Sequence, residues 1–316
     1  MRRAIARRQF LKTIATGALV GTGTGLGLLG VSTAREACVE AGTGHARKSR
    51  LLLGCNAYSY RELLVPGKMT LEDFISTAVD LRLDGVDMTV YYLKSTDPAY
   101  LDSLRQLAFK NAMPFSGAAC NATMVQSTAD QRANALAQIK KWLGVTDRLG
   151  APHLKIFAGP LPPGVTLQQA TDWTVETMKR ACDYAAQKGI MLGIEDHVGV
   201  SQSADVCLEI MHRVNSPYAG ITLDICHFKP FATADQYAQI EACLPYATVT
   251  HIRDHFDDHS VIDMDRVWQL YAKAGYRGYM SIEYNPALWD GGEPAVTGVP
   301  KLAERIRQLN RKYSNI

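Results

Sequence analysis

Three features of the sequence predict an α/β protein whose strands close into a single barrel. Short apolar runs alternate with amphipathic stretches from residue 50 onward. The runs number eight, at 51–56, 84–90, 115–120, 153–158, 190–196, 220–226, 247–253 and 279–284. Polar residues near the ends of the last four are spaced at about one strand–helix unit, roughly 250/8 residues in an eightfold barrel. The expected architecture is therefore a single (β/α)8 TIM barrel over residues 50–316. Eight units suit an open doubly wound sheet less readily.

The elements follow in order. Amphipathic segments at Leu71–Leu81, Gln131–Leu149 and Trp173–Gln187 carry apolar residues at helical spacing between the runs. The last five strands are the more strongly patterned. Strand five reads Met191–His197, strand six Ile221–His227, strand seven Val249–Asp254 and strand eight Tyr279–Asn285. Cys55, Cys120 and Cys226 lie in apolar runs and read as small core residues. Seven cysteines, an odd number without paired spacing, make no disulfide framework.

Hydrophobic residues make up 47% of the 316 and charged residues 21%, enough apolar material for a sizeable core. The net charge of +3 is local to one end. Residues 1–34 hold Arg2, Arg3, Arg7, Arg8 and Lys12 with no acidic residue, so the remainder stands at −2. A body of that charge has no electrostatic reason to bind nucleic acid or anionic lipid.

Residues 1–34 read as an address. Arg7-Arg8-Gln9-Phe10-Leu11-Lys12 precedes a weakly apolar run from Ile14 to Val31, and Ser32-Thr33-Ala34 offers small residues for cleavage. The hexapeptide resembles a twin-arginine export signal, which implies the export machinery as a partner and a periplasmic location. Six glycines within the run weaken the alternative of a membrane anchor, the expectation if the signal is not cleaved. Gly25-Leu26-Gly27-Leu28-Leu29-Gly30 matches a dinucleotide-binding pattern, but it follows no strand and no βαβ unit surrounds it. Residues 35–49 read as a polar linker.

Side chains alternate across a strand, so parity separates the two faces. Leu192, Ile194, Leu223, Ile225, Ile252, Met280 and Ile282 fall on the helix-facing side. Glu195, Asp224, His251 and Glu283 take the opposite parity, near the strand ends where barrel enzymes place their chemistry. The intervals between the four are 29, 27 and 32 residues. Three converging carboxylates would repel one another without a counter-charge. One divalent cation (Mn, Mg, Co or Zn) held by the three acids and the imidazole resolves this, with positions left open for substrate oxygens.

Leu192–His197, Leu223–Phe228, Thr250–Asp254 and Tyr279–Tyr284 resemble the xylose-isomerase-like barrels, the sugar phosphate isomerases and epimerases. The resemblance implies metal binding by Glu195, Asp224, His251 and Glu283. It also implies that Glu195 and Glu283 serve as acid and base, and that His227 contacts a substrate oxygen. Two positions depart from the ketose 3-epimerases of this family. They carry a further glutamate six residues after the first ligand and an arginine six after the metal histidine; here these are Ser201 and Asp257. The apurinic endonuclease relatives need early-strand histidines, and Val86–Tyr92 and Phe115–Asn121 contain none.

A cation chelating a carbonyl and its neighbouring hydroxyl makes the adjacent C–H acidic, and a carboxylate then removes the proton to give an enediolate. The expected function is thus a metal-dependent sugar isomerase or epimerase acting on a keto-sugar or related polyol. The alternatives are a lyase or hydratase on 3-keto-glycosides, or a carbohydrate-binding barrel without turnover. His153 and Lys155 share the inward parity of strand four. They, with Arg253, His197 and Trp289, are the expected substrate-binding residues; Tyr58 and Tyr60 could add apolar walls. Asp254 and His255 would sit behind the ligands, and Asp257-Asp258-His259 reads as solvated loop. The sequence does not fix the oligomeric state.

Overall fold

Local sequence signals set the helix starts. Thr70, Thr128 and Thr166 each accept from the backbone three residues on, while Asp73, Gln131 and Gln169 reach back to the threonine amides. Ser203, Asp235 and Asp263 cap three more helices through their side chains. The helices are α1 Leu71–Asp80, α2 Pro98–Lys110, α3 Ala129–Leu149, α4 Leu167–Ala186, α5 Ala204–Val214, α6 Gln236–Cys243, α7 Met264–Lys273 and α8 Ala295–Tyr313. A short turn of helix, Arg61–Leu64, follows the first strand.

The computed structural model describes residues 48–229, 235–286 and 292–314. Its strands are β1 Arg50–Asn56, β2 Gly85–Thr89, β3 Phe115–Thr123, β4 His153–Phe157, β5 Met191–Glu195, β6 Ala219–Asp224, β7 Ala247–Ile252 and β8 Arg277–Ile282. All pair in parallel with their sequence neighbours, and β1 returns to β8 from Arg50↔Arg277 to Cys55↔Ile282, closing the barrel. One helix follows each strand, as the alternation of patterns predicts. The signal and nearly all of the linker expected from the sequence lie outside the described residues. No helix among those described is long and apolar enough to cross a membrane.

The core sits between barrel and helices. Leu154, Ile156, Leu192, Ile194, Leu223, Ile225, Met280 and Ile282 are all fully buried there, on the face that parity assigns them. Burying a side chain of this size contributes roughly 1.5–3 kcal/mol. Trp268 of α7 donates to Asn310 of α8 at 2.8 Å, satisfying two polar groups inside that layer. Tyr60 joins the same core against Phe74 rather than walling the mouth. Cys55, Cys120 and Cys226 are buried free thiols, as expected.

The barrel interior is filled in layers. His153 lies in the lower one, its Nε2 3.0 Å from Thr248 Oγ1 and 3.4 Å from Thr222 Oγ1. Gly193 must be glycine here, because a β carbon would overlap Thr222 Oγ1 and His153 Nε2. Burial lowers the His153 pKa to about 4 and keeps the ring neutral. Above this layer, at the C-terminal ends of the strands, the polar residues gather.

Candidate metal centre

Glu195 and Asp224 are the last residues of β5 and β6, His251 the penultimate residue of β7, and Glu283 the first residue past β8. Each of the four offers one ligand atom to a group lying within 4.8 Å of one another, and all four are buried. His251 Nδ1 stands 3.2 Å from Glu195 Oε1 and 2.8 Å from Glu283 Oε2. The sequence-predicted quartet is thus brought together, from four neighbouring strands, in one place.

Two buried cations share the cluster. Lys155 Nζ lies 2.6 Å from Glu195 Oε1 and 3.6 Å from Glu283 Oε2. Arg253 Nη2 lies 2.6 Å from Glu283 Oε1 and 3.1 Å from Asp224 Oδ2. Burial would raise the Glu195 pKa, but the Lys155 ammonium and His251 outweigh it and hold the carboxyl down at about 2. Glu283 is likewise held well below its usual range against burial, by Lys155, His251 and Arg253. Burial would lower the His251 pKa, yet Glu283 drives it well above the usual imidazole value. In this arrangement a proton on Nδ1 answers the two carboxylates.

The residues fit a divalent cation. Glu195, Asp224, Glu283 and Asp87 bring four buried carboxyl groups to a site with two buried basic side chains, Lys155 and Arg253. Three carboxylate oxygens and one imidazole nitrogen are a donor set for Mn, Mg, Co or Zn. Beyond its ion pair to Arg253, Asp224 Oδ2 has no hydrogen-bond partner among the described residues.

His227 borders the quartet. Its Nδ1 is 2.8 Å from Asp257 Oδ2, and its Nε2, without a hydrogen-bond partner among described residues, is 3.5 Å from Asp224 Oδ2. Burial would lower its pKa, but Asp224 and Asp257 hold it raised. The sequence reading of Asp257 as solvated loop is corrected: it orients an imidazole of the site. Asp258 does belong to the loop, bonding Ser260, and His259 is exposed with φ +68°. His197 packs its ring edge on His227 at 4.6 Å and on Phe157 at 5.0 Å, half-buried at the rim.

The remaining expected residues divide. Lys155 and Arg253 reach the cluster; His153 stays a layer below. Trp289 lies outside the described residues. Tyr58 is half-buried under the Arg61 guanidinium. Asp254 and His255 pair with each other at 2.9 Å. Ser201 bears a hydroxyl that donates to the Glu195 carbonyl at 2.7 Å and steadies the strand end.

Sequence reasoning missed three residues. Asp87 of β2 meets His251 Nε2 at 3.1 Å. Asn56 of β1 donates to Glu283 Oε2 at 3.1 Å. Asp196 turns outward behind the site and accepts from the Asp224 amide at 2.7 Å. Burial, and then the nearby Asp224, raise the Asp196 carboxyl well above its usual range. The inward parity of Asn56 and Asp87 was available in the sequence, but each is a single polar residue in an otherwise unmarked strand.

No curated protein matches the sequence. Among solved structures, the chain is similar to D-allulose 3-epimerase from Methylomonas sp. (19% identity, 84% of this chain and 100% of that one, TM-score 0.66). It is similar to the 3-keto-D-glucoside 4-epimerase YcjR from E. coli (14%, 83% and 100%, TM-score 0.66). The IOLI protein, crystallised with a bound zinc atom, is a third such structure (17%, 84% and 100%, TM-score 0.67). At these identities the likeness is one of fold. Residues 75–309 match the family described as xylose isomerase-like TIM barrel, and the chain belongs to that family.

Proposed function

We propose that the protein is a divalent-metal-dependent sugar isomerase or epimerase acting on a keto-sugar or related polyol. The observation that carries this reading is the convergence of Glu195, Asp224, His251 and Glu283 on one point, where buried acids outnumber Lys155 and Arg253. When bound, the cation would polarise a substrate carbonyl and the neighbouring hydroxyl. Glu195 and Glu283, held ionised by Lys155 and Arg253, are able to take a proton from the adjacent carbon, and an enediolate results. Delivery to the opposite face of a proton that the other glutamate has drawn from solvent inverts the centre, the first glutamate releasing its own to solvent; return at the neighbouring carbon isomerises it. His227 Nε2, fixed by Asp257, faces the place where a substrate oxygen would lie. Lys155, released from Glu195 as the cation takes up that charge, would contact another.

A second reading is a lyase or hydratase acting on 3-keto-glycosides. The absence of the epimerases' arginine favours it, since position 257 here holds a carboxylate bonded to His227. We further propose that residues 1–34 direct export by the twin-arginine route, placing the enzyme in the periplasm, or on the membrane if the signal is retained.

The test is metal analysis together with incubation of the purified protein in heavy water with ketoses and 3-keto-glycosides. Bound metal and deuterium at carbon support an enzyme of this kind, and the product distinguishes epimer, isomer and elimination. A metal-free protein that labels no substrate would refute the proposal and leave a binding barrel.

A further inference from the structure

Asp87 is an inward residue of β2, in register with Asn56 of β1 on one side and Gly117 of β3 on the other. It is fully buried. Its Oδ2 lies 3.1 Å from His251 Nε2, while Oδ1 has no hydrogen-bond partner among the described residues. A carboxylate desolvated this completely is costly unless it is needed. An apolar side chain would fill the same space beside Gly117 at no such cost.

The neighbouring amide shows which way the protons point. Asn56 Oδ1 accepts from Thr89 Oγ1 at 2.7 Å and from the Tyr58 backbone amide at 2.8 Å. Its Nδ2 therefore faces inward and donates to Glu283 Oε2, standing 3.3 Å from His251 Nε2. An amide NH2 is no acceptor, so a proton on Nε2 has Asp87 as its acceptor. With Nε2–H committed there, the lone pair of a neutral His251 lies on Nδ1, the nitrogen that faces Glu195 and Glu283.

The geometry points to Asp87 as the positioning residue that fixes the tautomer and ring orientation of His251, presenting Nδ1 to a divalent cation held by the quartet. Carboxylates behind metal-bound imidazoles act in this way, and their loss typically weakens metal binding 10- to 100-fold. Asn56 and Thr89 complete the support by excluding the opposite arrangement. The inference rests on the proposed metal centre and adds a residue that lies outside its ligand set.

The full chain, stripped of metal by chelator dialysis, is titrated with Mn²⁺ alone, and free Mn²⁺ is read by electron paramagnetic resonance. We expect Asp87→Leu to raise the dissociation constant about 10- to 100-fold. Asp87→Asn, which retains an acceptor oxygen, falls between it and wild type. An Asp87→Leu protein with native circular dichroism and wild-type Mn²⁺ affinity overturns the assignment. Failure of the wild-type chain to bind Mn²⁺ or Zn²⁺ instead removes the metal centre itself, and the inference with it. Should Asp87→Leu not fold, the imidazole ¹⁵N shifts of His251 in the Zn²⁺-loaded wild type decide: a proton on Nε2 supports the role, and a proton on Nδ1 overturns it.

Discussion

The two halves of the barrel do different work at the same mouth. β5 to β8 supply the four convergent groups, one per strand, each at the strand end. β1, β2 and β4 supply Asn56, Asp87 and Lys155, each of which touches one or two of those groups from the side. β3 contributes Gly117, whose lack of a side chain leaves room for Asp87 and His153. One half holds the candidate ligand atoms with Arg253 beside them, and the other adds the charge of Lys155 and the partners of His251. A ligand set is therefore only part of a metal centre, because a buried carboxylate or imidazole needs a partner to stay ionised or oriented.

The largest effect expected lies in the ligand half. Glu283→Gln should lower turnover by about a hundredfold to ten-thousandfold, the span of general acid–base catalysis, measured as solvent deuterium incorporated into a turned-over ketose. Undiminished incorporation would break the division of labour drawn here. Asp224→Ala should lower metal content on elemental analysis.

In the bracing half, Lys155→Met leaves Glu195 buried without its cation. A broken buried pair costs about 3–5 kcal/mol, so we expect a loss of that order in the metal-free protein by urea denaturation, and a smaller one with Mn²⁺ present. The pH dependence follows from Glu195. Its folded pKa of about 2 lies below the ordinary 4.5. Its contribution to stability is therefore complete above the ordinary value and is lost as pH falls toward 2. Lys155→Met should accordingly flatten the acid limb of the stability curve; an unchanged limb would place the origin of that shift elsewhere.

Cation binding should stabilise the fold. Mn²⁺ at a hundred times its dissociation constant adds about 2.7 kcal/mol, visible as a raised melting temperature that chelator reverses. The same experiment run from pH 8 downward should show weaker metal binding, since a proton on His251, favoured by its raised pKa, competes for Nδ1.

The smallest effect at low pH belongs to Asp196, which faces away from the cluster. Its folded pKa is raised, so its contribution is present at low pH and is lost as pH rises through and beyond the ordinary 3.8. Asp196→Asn keeps the acceptor for the Asp224 amide and removes the titration. Below pH 3.8 stability should change by less than about 1 kcal/mol, and the variant should gain on wild type as pH rises above it. A large loss would show that the carboxylate, not merely its oxygen, supports β6.

Much of this was legible in the sequence. The strand runs at 153–158, 190–196 and 247–253 match β4, β5 and β7 to within a residue or two at each end. Those strands alternate cleanly between aliphatic and polar faces. The quartet was legible because four residues shared parity, depth and spacing. Asp257 was not: it is one acid in a loop of Asp257-Asp258-His259, and its bond to His227 joins positions 30 residues apart. Arg253 was expected at substrate, but its guanidinium bridges Asp224 and Glu283.

By itself, then, the sequence determined the eightfold alternation, the face that each strand presents inward, and the four groups at the strand ends. These follow from periodicity, which is a local property of the chain. Only the tertiary structure decided which partners those groups take. Asp87 and Asn56 reach His251 across 164 and 195 residues of sequence because closure brings the first strands round beside the last. Parity says which way a side chain faces, whereas hydrogen-bond pairing depends on the stagger between strands, and that is set only when the barrel closes.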